Sequence, residues 1–282
     1  MKQSTGVNTI LTRRAMDELT FSSTQRTHHP STRSSNPKFA QRDNDQDMGQ
    51  AAVRPQRTEA LAKFNHLMKV AEKIAEINPN ALHDLIRAIL RPLQAEQVLG
   101  VAEGGQDAVP TIEAGSFFGS AVRDLLFSKD GMKWLGIPQP KEMFVLRLSH
   151  DIVLPSPWSL NRYVSAVATI GSAKAGGNID ARGYRSSNYQ GPWQQDDNHR
   201  VEMWLPWKIT FVHGGNHSIA AGVLAGEGEI IPDNVFDMRH LLDTLRCDGH
   251  SFFRIDSGDL VGSISDPRRA AVFEIGRLLP KA

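Results

Sequence analysis

The sequence predicts an α+β fold, and three observations carry that reading. Two runs of apolar residues at helical spacing meet at Asn78 and Pro79 before anything strand-like occurs. From Met143 onward, short β-rich runs bounded by proline and glycine alternate with helix signatures. One of those runs ends in a glycine pair and passes directly into a helix of small residues. This order implies a mixed sheet with helices behind a helical N-terminal part, divided as residues 1–57, 58–127 and 142–282.

Between Phe21 and Val53 the large apolar residues are Phe39 and Met48, set among Ser, Thr, Asn, Gln, Asp, Arg and Pro. Such a stretch buries too little surface to offset its ordering entropy, so residues 1–57 read as a mostly disordered tether. A short helix over residues 9–19, either a frayed end or a docking element, precedes the tether. From Thr58, the residues Leu61, Phe64, Leu67, Met68, Ala71, Ile74 and Ile77 recur at helical spacing, with lysines on the opposite side. Asn78-Pro79 ends this helix and opens the next, whose stripe is Leu82, Leu85, Ile86, Ile89, Leu90 and Leu93. Pro92 should kink or stop it, and a glycine-rich loop is expected over residues 100–106. The two stripes form an antiparallel hairpin that packs on the main domain or serves a partner, including a second copy in a homodimer.

Residues 117–127 read as a further helix, and Gly131, Gly136, Pro138 and Pro140 as a turn region. Strands follow over 143–148 and 152–154, then a helix from Trp158 or Ser159 to Ile170, stopped by Gly171. Residues 172–199 are too long for an ordinary connector. They form a functional flap or a disordered insert, and Tyr184, Tyr189 and Trp193 favour the flap. Residues 201–212 make one long strand or two short ones broken at Pro206. Beyond the glycine pair come a helix over 218–225, a short strand at 230–231 and a helix over 234–245. A hairpin turning at Ser257, Gly258 and Asp259 and a last helix opened by Asp266-Pro267 complete the chain.

Composition narrows the function. With 32 Lys and Arg against 31 Asp and Glu, no global basic field drives binding to nucleic acid or membrane. The single Cys247 excludes an internal disulfide and any multi-cysteine metal site. It points to a reducing compartment. No run approaches the ~20 apolar residues of a membrane span. The N-terminus has no signal-peptide pattern, so the expectation is a cytoplasmic protein.

Chemistry concentrates at residues 211–225. Glycines Gly214 and Gly215 permit a sharp turn, and the free N–H groups of the following helix carry partial positive charge. Phosphate is the natural guest of such a device. The run Phe211-Val212-His213-Gly214-Gly215-Asn216-His217-Ser218-Ile219-Ala220-Ala221 resembles the signature turn of the ParB/sulfiredoxin superfamily: a strand, a Gly-x-x-Arg or Gly-Gly-Cys-His-Arg turn, then a helix beginning with alanines. The resemblance continues through Gly226 to Ile231-Pro232. Upstream, residues 152–157 with Asn161-Arg162 look like the family's first box.

That resemblance implies nucleotide binding on the glycine turn, with CTP or ATP as candidates and Mg2+ alongside. Branches of the superfamily act as CTP-dependent DNA clamps, nucleases, kinases or sulfinic-acid reductases. Gly214, Gly215 and His217 match the motif. Asn216 replaces the reductase cysteine, which excludes thiol-based phosphoryl chemistry. Ser218 replaces the phosphate-binding arginine, and a hydroxyl cannot act as a bidentate cation. Arg162, Arg182 and Arg185 are the substitutes in view.

His217 is expected to donate to phosphate or act as a base, unless it is satisfied within the fold. Asn216 would orient an oxyanion. Glu227 and Glu229 are candidates for a phosphate-bridged Mg2+ or for a solvated loop. The expected activity is phosphoester hydrolysis or phosphoryl transfer. A DNA-binding clamp or nuclease and a non-catalytic interaction module are the alternatives.

Overall fold

The computed structural model describes residues 45–126, 135–176 and 189–280. The chain divides into Met1–Asn44 and Asp45–Ala282, and every described residue belongs to the second unit. Helix α1 spans Asp45–Ile77. It starts inside the segment that composition assigns to the tether, because lengthening an existing helix avoids the cost of nucleation. After a 3-10 turn at Pro79–Ala81, capped by Asn78, α2 spans Leu82–Gly104. Pro92 lies inside α2 without ending it, and the helix runs through the expected loop at 100–106 to Gly104. Tertiary packing overrides the local signals: Gln94, Gln97, Val98 and Val101 beyond the proline are all buried against the body of the protein.

The stretch expected as a helix over 117–127 is a 3-10 turn at Ala114–Ser116 followed by the short α3, Ser120–Arg123. Phe117 and Phe118 between them are fully buried. Three two-residue strands come next: β1 (Ile137–Pro138), β2 (Leu146–Arg147) and β3 (Val153–Leu154). Helix α4, Leu160–Thr169, starts at the expected Ser159, whose hydroxyl accepts from the Arg162 N–H. Strands β4 (Val201–Leu205) and β5 (Ile209–Val212) are separate and antiparallel, turning back at Pro206.

Helix α5, Asn216–Ala225, leaves the glycine pair and ends at Gly226. The 234–245 helix expected from sequence is instead β7 (Asn234–Asp237), α6 (Arg239–Thr244) and β8 (Leu245–Cys247), after the short β6 (Glu229–Ile230). Residues 234–237 lie parallel to β4, with Val235 beside Met203, and Val235 and Phe236 are strand formers that suit this pairing. The hairpin β9 (Ser251–Arg254) and β10 (Leu260–Ser263) and helix α7 (Pro267–Ile275), capped by Asp266, follow as the sequence predicts.

The main sheet has the order β1-β7-β4-β5-β3, with β3 parallel to β5 and β7 parallel to β4. Side-chain alternation along its strands separates two cores. Trp204, Ile209, Phe211 and Leu154 face α1, α2 and α7. Val201, Met203, Val212 and Val153 face Leu148, Trp193, Ile219 and Ile230. The fold is therefore mixed α+β, with helices and mixed sheets in one unit. Among the described residues, no helix is long and apolar enough to cross a membrane.

Buried polar groups on α2 fix the loop that carries the first box. The Gln94 amide donates to the Val153 carbonyl at 2.6 Å. Ser156 Oγ donates to Gln97 Oε1 at 3.0 Å. The Ser156 N–H donates to Asn216 Oδ1 at 2.7 Å, tying that loop to the start of α5.

Candidate functional site

Strand β5 delivers the glycine turn to the edge of a cleft. The N–H groups of His213 and Gly214 both donate to the Arg200 carbonyl, so the turn folds back on the start of β4. Gly215 adopts φ 73° and is the N-cap of α5. A Cβ there would lie 2.4 Å from His199 Cδ2, and one at Gly214 would lie 2.4 Å from the Asn198 carbonyl oxygen. The close approach of residues 198–200 is thus what demands both glycines.

The cleft at this turn has a volume of about 690 Å³. Its floor is the N-terminus of α5, and Arg162, Arg200, Trp158 and Tyr189 stand around it. Helix α5 has no side-chain cap, and the N–H groups of Asn216, His217 and Ser218 have no acceptor among the described residues. Arg162 and Arg200 are exposed, and neither pairs with a carboxylate among the described residues. Arg162 lies over the Trp158 ring, 5.2 Å from its centroid. Asp196 is the acidic side chain on the lining. The helix dipole, three free amides and two arginines therefore give the cleft a positive potential.

His217 sits in the first turn of α5, where its Nε2 accepts from the Ser159 N–H at 3.1 Å. Burial first, and the nearby Arg162 second, lower its pKa to about 4. The ring is neutral near pH 7, and its proton is on Nδ1, where it faces no acceptor among the described residues. This geometry equips His217 as a donor to an anion and occupies the nitrogen a base would use. Asn216 spends its Oδ1 on the Ser156 N–H, and its amide nitrogen has no acceptor among the described residues.

Ser218 turns its hydroxyl inward, donating to the Gly215 carbonyl at 3.0 Å and meeting His199 Nε2 at 2.5 Å. His199 is buried, and burial lowers its pKa. Trp193, expected on a flap, is a core residue. Its indole N–H donates to the Ser218 carbonyl at 2.8 Å, and its ring rests on Gly222 and Gly228, where added Cβ atoms would stand 2.8 and 2.6 Å away.

The acidic pair moves elsewhere. Glu227 Oε1 accepts from the N–H groups of Ser172 and Trp193, each at 2.9 Å, and these bonds depress its pKa. Glu229 is exposed on β6 opposite Arg147. Both lie past the C-terminus of the ten-residue α5, about 15 Å along the helix from its start, and neither lines the cleft. A magnesium site at the glycine turn therefore does not use them. Among the described residues, no group of three His, Cys, Asp or Glu side chains converges on one point.

Gly214, Gly215, Asn216, His217, Ser218 and Arg162 are thus brought together, whereas Arg182 and Arg185 lie outside the described residues. Sequence reasoning missed Arg200. The antiparallel β4–β5 pairing was the available signal, because it returns the residue before Val201 to the turn after Val212.

A family model described as "Family of unknown function (DUF6710)" matches residues 31–282. Neither the curated proteins nor the solved structures contain a match to the chain.

Proposed function

We propose that this chain, which belongs to the family of unknown function DUF6710, is a ParB/sulfiredoxin-like protein that binds a phosphorylated ligand at the glycine turn. The class of ligand is a nucleotide. The single observation behind this reading is the cleft of about 690 Å³ that opens on the uncapped N-terminus of α5 between two arginines without carboxylate partners among the described residues. That volume falls within the usual range of small-ligand sites, about 300–1,000 Å³. Phosphate oxygens would take the N–H groups of residues 216–218 and the His217 Nδ1–H, with Arg162 and Arg200 closing on them. The arginines supply the charge that Ser218 lacks. Among the described residues the cleft offers Asp196 alone as a carboxylate, and these residues do not fit a protein-held Mg2+.

The test is calorimetric titration of the full chain with pyrophosphate, CTP and ATP, with and without magnesium chloride. Saturable binding is expected, weakened about 10-fold or more by Arg200→Ala and by Arg162→Ala, as fits the loss of a charge-assisted hydrogen bond. Both side chains are exposed, so the fold should survive. Gly215→Asp is a poorer probe, because its Cβ would displace His199. Absence of saturable binding by all three, or binding indifferent to both arginines, would overturn the reading.

A further inference from the structure

Ser218 and His199 form a pair that phosphate binding alone does not require. Ser218 Oγ lies 2.5 Å from His199 Nε2, and His199 Nδ1 lies 2.9 Å from Asp196 Oδ1. All three residues line the cleft. The histidine is buried against Trp193, ring centroids 4.8 Å apart, while the Asp196 carboxylate is 68% exposed. A hydroxyl, an enclosed imidazole and a carboxylate in sequence make the arrangement of an activated nucleophile. It sits within the same turn of α5 whose free amides face the cleft.

We infer that Ser218 is a nucleophile toward phosphorus, that His199 is its base and that Asp196 is the positioning residue, so that the cleft hydrolyses a phosphoester or phosphoanhydride through a phosphoserine. In the first step the Ser218 Oγ–P bond forms and the bond from phosphorus to the leaving oxygen breaks. The Oγ proton passes to His199 Nε2 and then to that leaving oxygen. In the second step water attacks phosphorus, gives its proton to His199 and releases phosphate, and Ser218 Oγ recovers the proton from the ring. The amides of residues 216–218 and the two arginines neutralise the equatorial oxygens, which would otherwise repel the incoming oxygen. The phosphorylated substrate class rests on the anion-binding reading above, whereas the pairing of Ser218 with His199 stands on its own geometry.

The base requires one of two tautomers. The Asp196 backbone N–H lies 2.8 Å from His199 Nδ1, and with Nδ1 accepting that bond, Nε2–H points at Ser218. With Nδ1–H donating to Asp196 Oδ1 and the Ser218 hydroxyl turned from the Gly215 carbonyl, Nε2 accepts from Ser218 and the pair is competent. The hydrogen bonds present are those of the first form and the reaction proceeds from the second, while burial keeps the ring neutral in either.

An alkyl fluorophosphonate, whose fluoride leaves from tetrahedral phosphorus, tests the assignment on the full chain. Peptide mass mapping should place the adduct on Ser218. Pyrophosphate should protect against labelling, and Ser218→Ala should abolish it. Asp196→Asn retains the Oδ1 that accepts from the Asn198 N–H, so the fold is kept while labelling slows about 10-fold or more. The midpoint of the pH–rate profile for labelling should also fall, since the carboxylate that favours the imidazolium is gone. His199→Gln should slow labelling further at a temperature where circular dichroism shows the variant folded. No adduct on Ser218 in protein that still binds pyrophosphate would overturn the nucleophile and leave the anion site standing. Labelling of Ser218 at equal rates in the wild type, Asp196→Asn and His199→Gln would overturn the base.

Discussion

The titration of single histidines sets how this protein should respond to acid. His217 and His83 both have folded pKa values of about 4 against 6.5 for the free side chain, chiefly because burial disfavours the imidazolium. The unfolded chain therefore binds more protons than the folded one below pH 6.5. Stability tied to these groups is complete above pH 6.5 and is lost as the pH falls toward 4. Allowing for solvent screening, the loss is on the order of 1–2 kcal/mol per histidine. His213 has the opposite sign. Its hydrogen bond to Glu202 raises its pKa, so its contribution is complete below 6.5 and fades as the pH rises through the raised value. Denaturant melts between pH 7 and 4 should show the net acid loss, and His217→Gln should flatten part of it. A wild-type stability that is flat over this range would contradict the buried, neutral assignment.

Among the elements, the segment carrying Tyr189 and Trp193 is held to α5 by few but specific bonds. Glu227 receives two backbone N–H groups, one on each side of residues 177–188, and Trp193 packs where only Gly222 and Gly228 leave room. Glu227→Ala removes both acceptor bonds and leaves the helix intact. Hydrogen exchange should then rise at Ser172 and at residues 191–193, with little change in β4 or β5. Protection unchanged at Ser172 and Trp193 would show that Trp193 alone holds the segment. Helix α2 depends on packing in a comparable way, since Gln94 and Gln97 anchor it to the first-box loop beyond Pro92.

Across the whole molecule, α1 is part of the fold and not an attached hairpin. Phe64 of α1 is 7% exposed and lies against Gly249, between β8 and β9, where an added Cβ would come within 2.6 Å of its ring. The same core joins it to Trp204, Trp207 and Phe273, with Phe118 packed at 4.8 Å from Trp207 and 5.2 Å from Phe273. Phe64→Ala should cost about 3 kcal/mol, the lower end for a buried phenylalanine. The loss should appear as one shifted unfolding transition by circular dichroism. Two separate transitions would mean that the helices fold apart from the sheet.

By itself the sequence determined the local devices. Asn78-Pro79, Ser159, Gly171, Gly226 and Asp266-Pro267 mark element ends through short-range sterics and capping, and the glycine turn with its emerging helix is written in five consecutive residues. Long-range pairing decided the rest. Residues 234–237 became a strand only because β4 offered an edge, and α2 crossed Pro92 because its far half is buried. Arg200 reached the turn through a hairpin, and Ser218 met His199 across 19 positions of chain. Such encounters depend on which surfaces are buried together, and residue order along the chain does not encode that locally.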